Sequence, residues 1–170
     1  MKLIDLLIET SDHRAELDQL TVDLKRGMST RDPNPVRIFI TDALRAKLNH
    51  LEIKAVLESM KPEILEWLRS FISVRKKYLS NVAAHFVLNI KYLQKSAGIN
   101  WNELDAIVED NKFDIVKYLL TLFKTEHYKF ALELIKDIHT LGFDWDELYT
   151  IKNSIDSIVS GKIDHHRQTH

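Results

Sequence analysis

Gly98-Ile99-Asn100-Trp101-Asn102-Glu103-Leu104 returns 44 residues later as Gly142-Phe143-Asp144-Trp145-Asp146-Glu147-Leu148. Each copy runs glycine, one apolar residue, Asn or Asp, then tryptophan. Glycine ends a helix cheaply because it takes positive φ without a Cβ penalty. Asn100 and Asp144 can then cap a new helix, and Glu103 and Glu147, three residues on, complete a capping-box arrangement. The phrase therefore reads as a helix–helix joint used twice. The match extends backward through Phe86 with Phe130, Leu88 with Leu132 and Ile90 with Leu134, and forward to Ile107 with Ile151. A degenerate ~44-residue period predicts stacked helical units in the C-terminal half.

Outward from the joint the whole chain reads as all-α, with about seven to nine helices. Only four Gly and three Pro stand in 170 residues, so little breaks a helix. Two helices are expected before Gly27, one ending near Ile8 and one capped by Ser11 or Asp12. The loop 28–34 follows. Asn34-Pro35 then opens a helix to about Leu48, since Asn can cap and Pro is tolerated at the first helical position. On it Ile38, Leu44 and Leu48 are expected inward, with Arg37, Arg45 and Lys47 outward. Further helices are expected over 52–58, from 62 to at least 79, over 81–97, from Trp101, over 113–123, over 126–141 and over 145–159. The 64/65/68/71/72 pattern gives one of them a clear apolar face, opposite Glu66, Arg69, Ser73, Lys76 and Lys77. Residues 113–123 are apolar nearly all round, the mark of a central helix. All four glycines fall where a helix is expected to stop.

The expected organisation is one domain over 1–161: N-terminal helices 1–27, a basic helical middle 35–97, repeat-like helices 98–161, and a flexible polar tail 162–170. Net charge is -1, unevenly distributed. Residues 36–99 hold 11 basic and 5 acidic side chains, whereas 100–170 hold 8 and 13. With no cysteine there is no disulfide framework, thiolate metal site or cysteine nucleophile. The apolar N-terminus is interrupted by Asp5 and too short for a signal sequence, and nothing approaches a membrane span. An intracellular, cytoplasmic protein is expected.

One stretch, Asn111-Lys112-Phe113-Asp114-Ile115-Val116-Lys117-Tyr118-Leu119-Leu120, is similar to the second helix of an ankyrin repeat, and Gly142-Phe143-Asp144 resembles the Gly-Ala-Asp that closes one. The likeness covers about two dozen residues. The Thr-Pro-Leu-His signature and the 33-residue period are absent, so it implies a helical-repeat character and no membership.

Sites of chemistry are not apparent. There is no His-Glu-x-x-His, Glu-x-x-His, Gly-x-Ser-x-Gly or phosphate-cradling glycine loop. His166 and His170 are spaced for one helix face but lie in the polar tail, and His85 reads as a satisfied core histidine. Acidic clusters such as Glu109-Asp110 and Asp144, Asp146 and Glu147 fall at helix ends, where the dipole or a cap explains those at N-termini. No enzyme activity, metal, cofactor, membrane or small-molecule substrate is expected. The leading expectation is a helical protein–protein interaction, adaptor or accessory module that binds another protein or itself, with attraction between its basic middle and acidic end favouring head-to-tail or intramolecular contact. Trp101 and Trp145 are then either gap-filling core aromatics or partner anchors. The alternative is nucleic-acid binding through Arg37, Arg45, Lys47, Arg69, Lys76, Lys77, Lys91 and Lys95, with Tyr78 and Tyr92 interleaved for stacking.

Overall fold

A computed structural model describes residues 3–168, with side chains placed for 13–161. Among the described residues it is all-α, with no strand. The helices are α1 (Leu3–Ser29), α2 (Pro35–Arg45), α3 (His50–Ser59), α4 (Lys61–Arg75), α5 (Val82–Lys91), α6 (Asn102–Asp110), α7 (Lys112–Lys124), α8 (Tyr128–Thr140) and α9 (Asp146–Gln168). A π-helical turn, Tyr92–Ser96, prolongs α5. The contacts divide the chain into two compact units, one through Ile107 and one from Val108.

In the first unit α1 packs on α2, α2 on α5 and its π-turn, and α4 on both α3 and α5. Val36, Phe39, Ile40 and Ala43 recur at i, i+3, i+4 and i+7 along α2, and all are buried. That arc leaves Ile38 and Leu44 on the outside, 47% and 41% exposed, contrary to the inward placement expected for them. Leu48 is buried as expected. Across the core, α4 supplies Ile64, Leu65, Leu68, Phe71 and Ile72, and the Phe71 ring lies 6.1 Å from that of Phe86 on α5.

Polar side chains of α4 and α5 hold the loop between α1 and α2. Buried Arg75 donates from Nη2 to the carbonyls of Met28 (3.2 Å) and Thr30 (2.9 Å), while its guanidinium lies 4.7 Å from the Phe71 ring centroid and 5.5 Å from that of Trp67. Asn89 Nδ2 donates to the Pro33 carbonyl at 2.9 Å. His85 Nδ1 donates to Asn34 Oδ1 at 2.8 Å. Asn34 does precede α2, with Pro35 in its first turn, but its side chain serves His85 and makes no cap hydrogen bond. Burial and the nearby Arg37 push the His85 pKa down, against a weaker pull from Asp32.

In the second unit α7 packs on α8 and α9, and α8 on α9. Its core is Ile115, Leu119 and Leu122 of α7, Leu134, Ile135 and Ile138 of α8, and Leu148, Ile151 and Ile155 of α9. Phe143 and Trp145 of the joint add an aromatic pair 5.4 Å apart.

Several helix ends differ from expectation for identifiable reasons. α1 runs without a break through Ser11 and Asp12, which have no Gly or Pro beside them to stop a helix. Gly27 lies inside α1; a Cβ there would come 2.8 Å from Pro35 Cβ, so glycine permits the close approach of α2. Gly161 likewise lies within α9, which continues to Gln168 where a flexible tail was expected. Positive-φ helix ends occur at Gly98 (φ 69°) and Gly142 (φ 93°), as the joint predicts. They also occur at Lys47 (φ 62°) and Glu126 (φ 61°). At all four, the amide of the residue after the left-handed one reaches back to a carbonyl of the last helical turn, five residues back for Leu48 N to Ala43 O, His127 N to Leu122 O and Phe143 N to Ile138 O, and six for Ile99 N to Leu93 O at the end of the π-turn.

Candidate interaction site

The two tryptophans sit in matching polar settings. In the first unit a single residue, Met60, separates α3 from α4. Glu58, two residues before it, accepts the Trp101 indole N–H at 2.8 Å. Lys61, just after it, meets Glu103 at 3.1 Å and lies 5.8 Å from the Trp101 ring centroid. In the second unit a single residue, Asn111, separates α6 from α7. Glu109 accepts the Trp145 indole N–H at 2.9 Å. Lys112 meets Glu147 at 3.4 Å and lies 5.4 Å from the Trp145 ring centroid. Each latch thus uses Glu-x-x-Lys across a helix corner to hold Trp-x-Glu of a later joint.

The latches also shift their carboxylates. Glu103 is held below the usual carboxylate range by its own backbone amide and by Lys61, with Arg69 adding to the effect. Glu147 is lowered by its own backbone amide and by Lys112, against some desolvation. The correspondence of the two copies has limits: Phe86 is fully buried, whereas Phe130 at the matching position is 58% exposed. Trp101 and Trp145 themselves are 6% and 7% exposed. They occupy the interior and offer no open ring face.

Beside the second latch lies a groove of about 660 Å³. Its floor is Phe113, Val116 and Leu120 of α7; its rim is Glu109, Asp110, Lys112, Lys117 and Glu147. Helical spacing puts Phe113, Val116 and Leu120 on one face at i, i+3 and i+7. Ile115, Leu119 and Leu122 take the other face into the core. The all-round apolar character of α7 therefore does not make it central, as its sequence suggested. Phe113 is 76% exposed and Leu120 41%. The rim is firm on one side, because Glu109 and Lys112 are engaged by Trp145 and Glu147. Asp110 and Lys117 are exposed.

The eight basic candidates all lie in the first unit, in separate places. Arg37 on α2 has its guanidinium 5.6 Å from the Tyr92 ring centroid, in the π-turn that also carries Lys95 and directly follows Lys91. Lys76 and Lys77 are exposed just beyond α4, next to Tyr78, whose ring centroid lies 4.9 Å from the Arg31 guanidinium. Arg45 pairs weakly with Asp42 (3.7 Å), Lys47 forms the left-handed end of α2, and Arg69 lies toward Glu103.

Titratable groups gather in one further place, the second joint. His139 Nδ1 is 3.1 Å from the Phe143 carbonyl and 3.8 Å from Asp144, and the Tyr149 hydroxyl donates to Asp144, which pushes the Tyr149 pKa up. These bonds tie the joint to α9. Among the described residues no three His, Asp or Glu side chains converge on a possible metal position, and no helix is long and apolar enough to cross a membrane. His165, His166 and His170 lie outside the residues whose side chains are described. Comparison with protein-family models, with curated proteins and with solved structures finds no match to this chain.

Proposed function

We propose that this chain is a non-catalytic helical interaction module, intracellular in keeping with its cysteine-free sequence, whose binding surface is the outward face of α7. The observation that carries the reading is the exposure of Phe113, 76%, in line with half-buried Val116 and exposed Leu120 along one groove. Isolated exposed apolar side chains are ordinary, but an aligned stripe beside a rimmed groove marks an interface. An apolar centre with a polar edge is also the usual anatomy of a protein-binding patch. On this reading Trp145 contributes from inside: it fixes Glu109, and through Lys112 the rim. Replacing Phe113 by a photo-cross-linking phenylalanine analogue tests the proposal. Polypeptide adducts from position 113, absent from the same analogue at exposed Val159, are expected; equal labelling from both positions, or none, counts against it.

A second reading, nucleic-acid binding, is favoured by the two guanidinium–tyrosine pairs, Arg31 with Tyr78 and Arg37 with Tyr92. Arginine beside a solvent-accessible ring, exposed at Tyr78 and half-buried at Tyr92, suits a phosphate backbone with neighbouring bases. Anisotropy of labelled single-stranded DNA, duplex DNA and RNA at ~50 and ~200 mM salt separates the readings. Steeply salt-dependent binding lost in Lys76→Glu/Lys77→Glu supports nucleic acid; no binding at the lower salt removes it.

A further inference from the structure

We infer that the occupant of the α7 groove is a second copy of this chain, presenting the corner between α2 and α3. This rests on the reading of α7 as a docking surface and adds what docks there. The corner carries the most exposed aliphatic side chain in the described structure, Leu51 at 79%, together with Leu44 at 41%. Arg45, Lys47 and Lys54, on the same two helices and the turn between them, are exposed too. Of the nearby acids, Asp42 sits 3.7 Å from Arg45, and Glu52, hydrogen-bonded to the neutral Asn49, keeps its charge, so the three cations outnumber the two carboxylates and the patch is net positive by one.

The groove is the complement in both respects. It presents Phe113, Val116 and Leu120 as floor, with Glu109 and Asp110 on the rim. Lys112 is committed to Glu147, so Lys117 is the cation left to oppose them. The same sign difference runs through the sequence, +6 over 36–99 and -5 over 100–170. Leucines against an aromatic-lined floor supply the apolar contact, while lysines against carboxylates orient it and favour encounter. Because the corner and the groove are different surfaces, the contact is heterologous. It propagates head to tail unless a ring closes. Two helix-sized patches fall short of the ~1,200 Å² typical of stable complexes, so the association is weak and weakens further as salt screens the rim.

Sedimentation of the full chain from ~5 to ~500 µM, at ~50 and ~300 mM salt, tests the inference. The wild type is expected to show a mean mass that rises with concentration and falls with salt. Leu51→Glu/Lys54→Glu disables the corner and Phe113→Glu/Leu120→Glu disables the groove; all four sites are solvent-facing, and circular dichroism checks that both variants fold. Each variant alone is expected to associate at least ~30-fold more weakly. Mixed together, they are expected to form a 1:1 dimer with wild-type affinity, since the mixture retains one intact corner and one intact groove. Milder Leu51→Gln and Phe113→Gln variants repeat the comparison should either pair misfold. A wild type monomeric throughout overturns the inference, as does undiminished association of either variant or failure of the mixture to pair. A monomeric wild type that still gives adducts with another polypeptide from position 113 removes the second copy while leaving α7 a docking surface.

Discussion

Replacing Arg75 with methionine probes how the first unit is held together. The side chain, on the last residue of α4, is 3% exposed and donates to two carbonyls, of Met28 in the last turn of α1 and of Thr30 just after it. Hydrogen bonds from a charged donor contribute ~1.5–3 kcal/mol each, a gross ~3–6 kcal/mol. Against this stands the cost of burying a guanidinium whose Nε has no partner, a cost that also lowers the Arg75 pKa. Methionine keeps most of the volume beside Trp67 and Phe71 while removing both the donors and that cost. The net expectation is a loss of ~1–3 kcal/mol, or a fall of ~2–10 °C in Tm at this chain length. Urea denaturation gives the free energy; amide exchange over 28–34 shows whether the loop loosens. Arg75→Lys keeps the charge and a multiple donor but not the planar guanidinium that lies against Phe71 and Trp67, and should fall between the two. A methionine variant as stable as wild type, with unchanged loop exchange, would refute the argument that these carbonyls need Arg75.

Lys47→Gly and Glu126→Gly should each stabilise the chain by ~0.5–1 kcal/mol, because both non-glycine residues end helices at φ near 60°; a loss on thermal unfolding would show that their side chains matter more than the backbone. Trp101→Phe and Trp145→Phe should each cost ~1–2 kcal/mol by removing the indole donor from Glu58 or Glu109, and a difference above ~2 kcal/mol between them would argue that the latches are not equivalent. Acid should destabilise in two stages. The depressed His85 pKa means that its contribution is present above ~6.5 and lost as pH falls through its folded value, whereas the depressed Glu103 and Glu147 contributions are lost below the ordinary carboxylate value of 4.5. Urea midpoints between pH 8 and 3 should record both stages, with His85→Gln removing only the upper one.

Legibility in the sequence followed how local each determinant is. The stops at Gly98 and Gly142 and the start at Pro35 depend on backbone conformation alone, and they stand where the residues put them. Lys47 and Glu126 make the same left-handed turn without glycine, because the flanking contacts override the propensity, and nothing in their identity announces it. Asn34 looked like a cap and is one by position, but its side chain answers to His85, 51 residues away. On α2, Ile38 and Leu44 stand six residues apart and share no stripe with the core, whose regular arc is 36/39/40/43. The glutamates at 58 and 109 that receive the indoles gave no sequence signal until the corners at Met60 and Asn111 placed them. The signal for the groove was present and misassigned. A helix apolar on all sides is either enclosed by its own chain or reserved for another, and periodicity does not distinguish these.

The central claim is that Phe113 and Leu120 serve something other than the fold of this chain. The direct measurement is the unfolding free energy of Phe113→Gln/Leu120→Gln in urea, at a protein concentration of ~1 µM, where weak association is absent. The account predicts a change within ~0.5 kcal/mol, as for other solvent-facing substitutions, beside a loss of ~2–5 kcal/mol for Leu119→Ala on the buried face of the same helix. A loss above ~2 kcal/mol in the double variant would mean that the folded chain covers this face itself, and would contradict the claim.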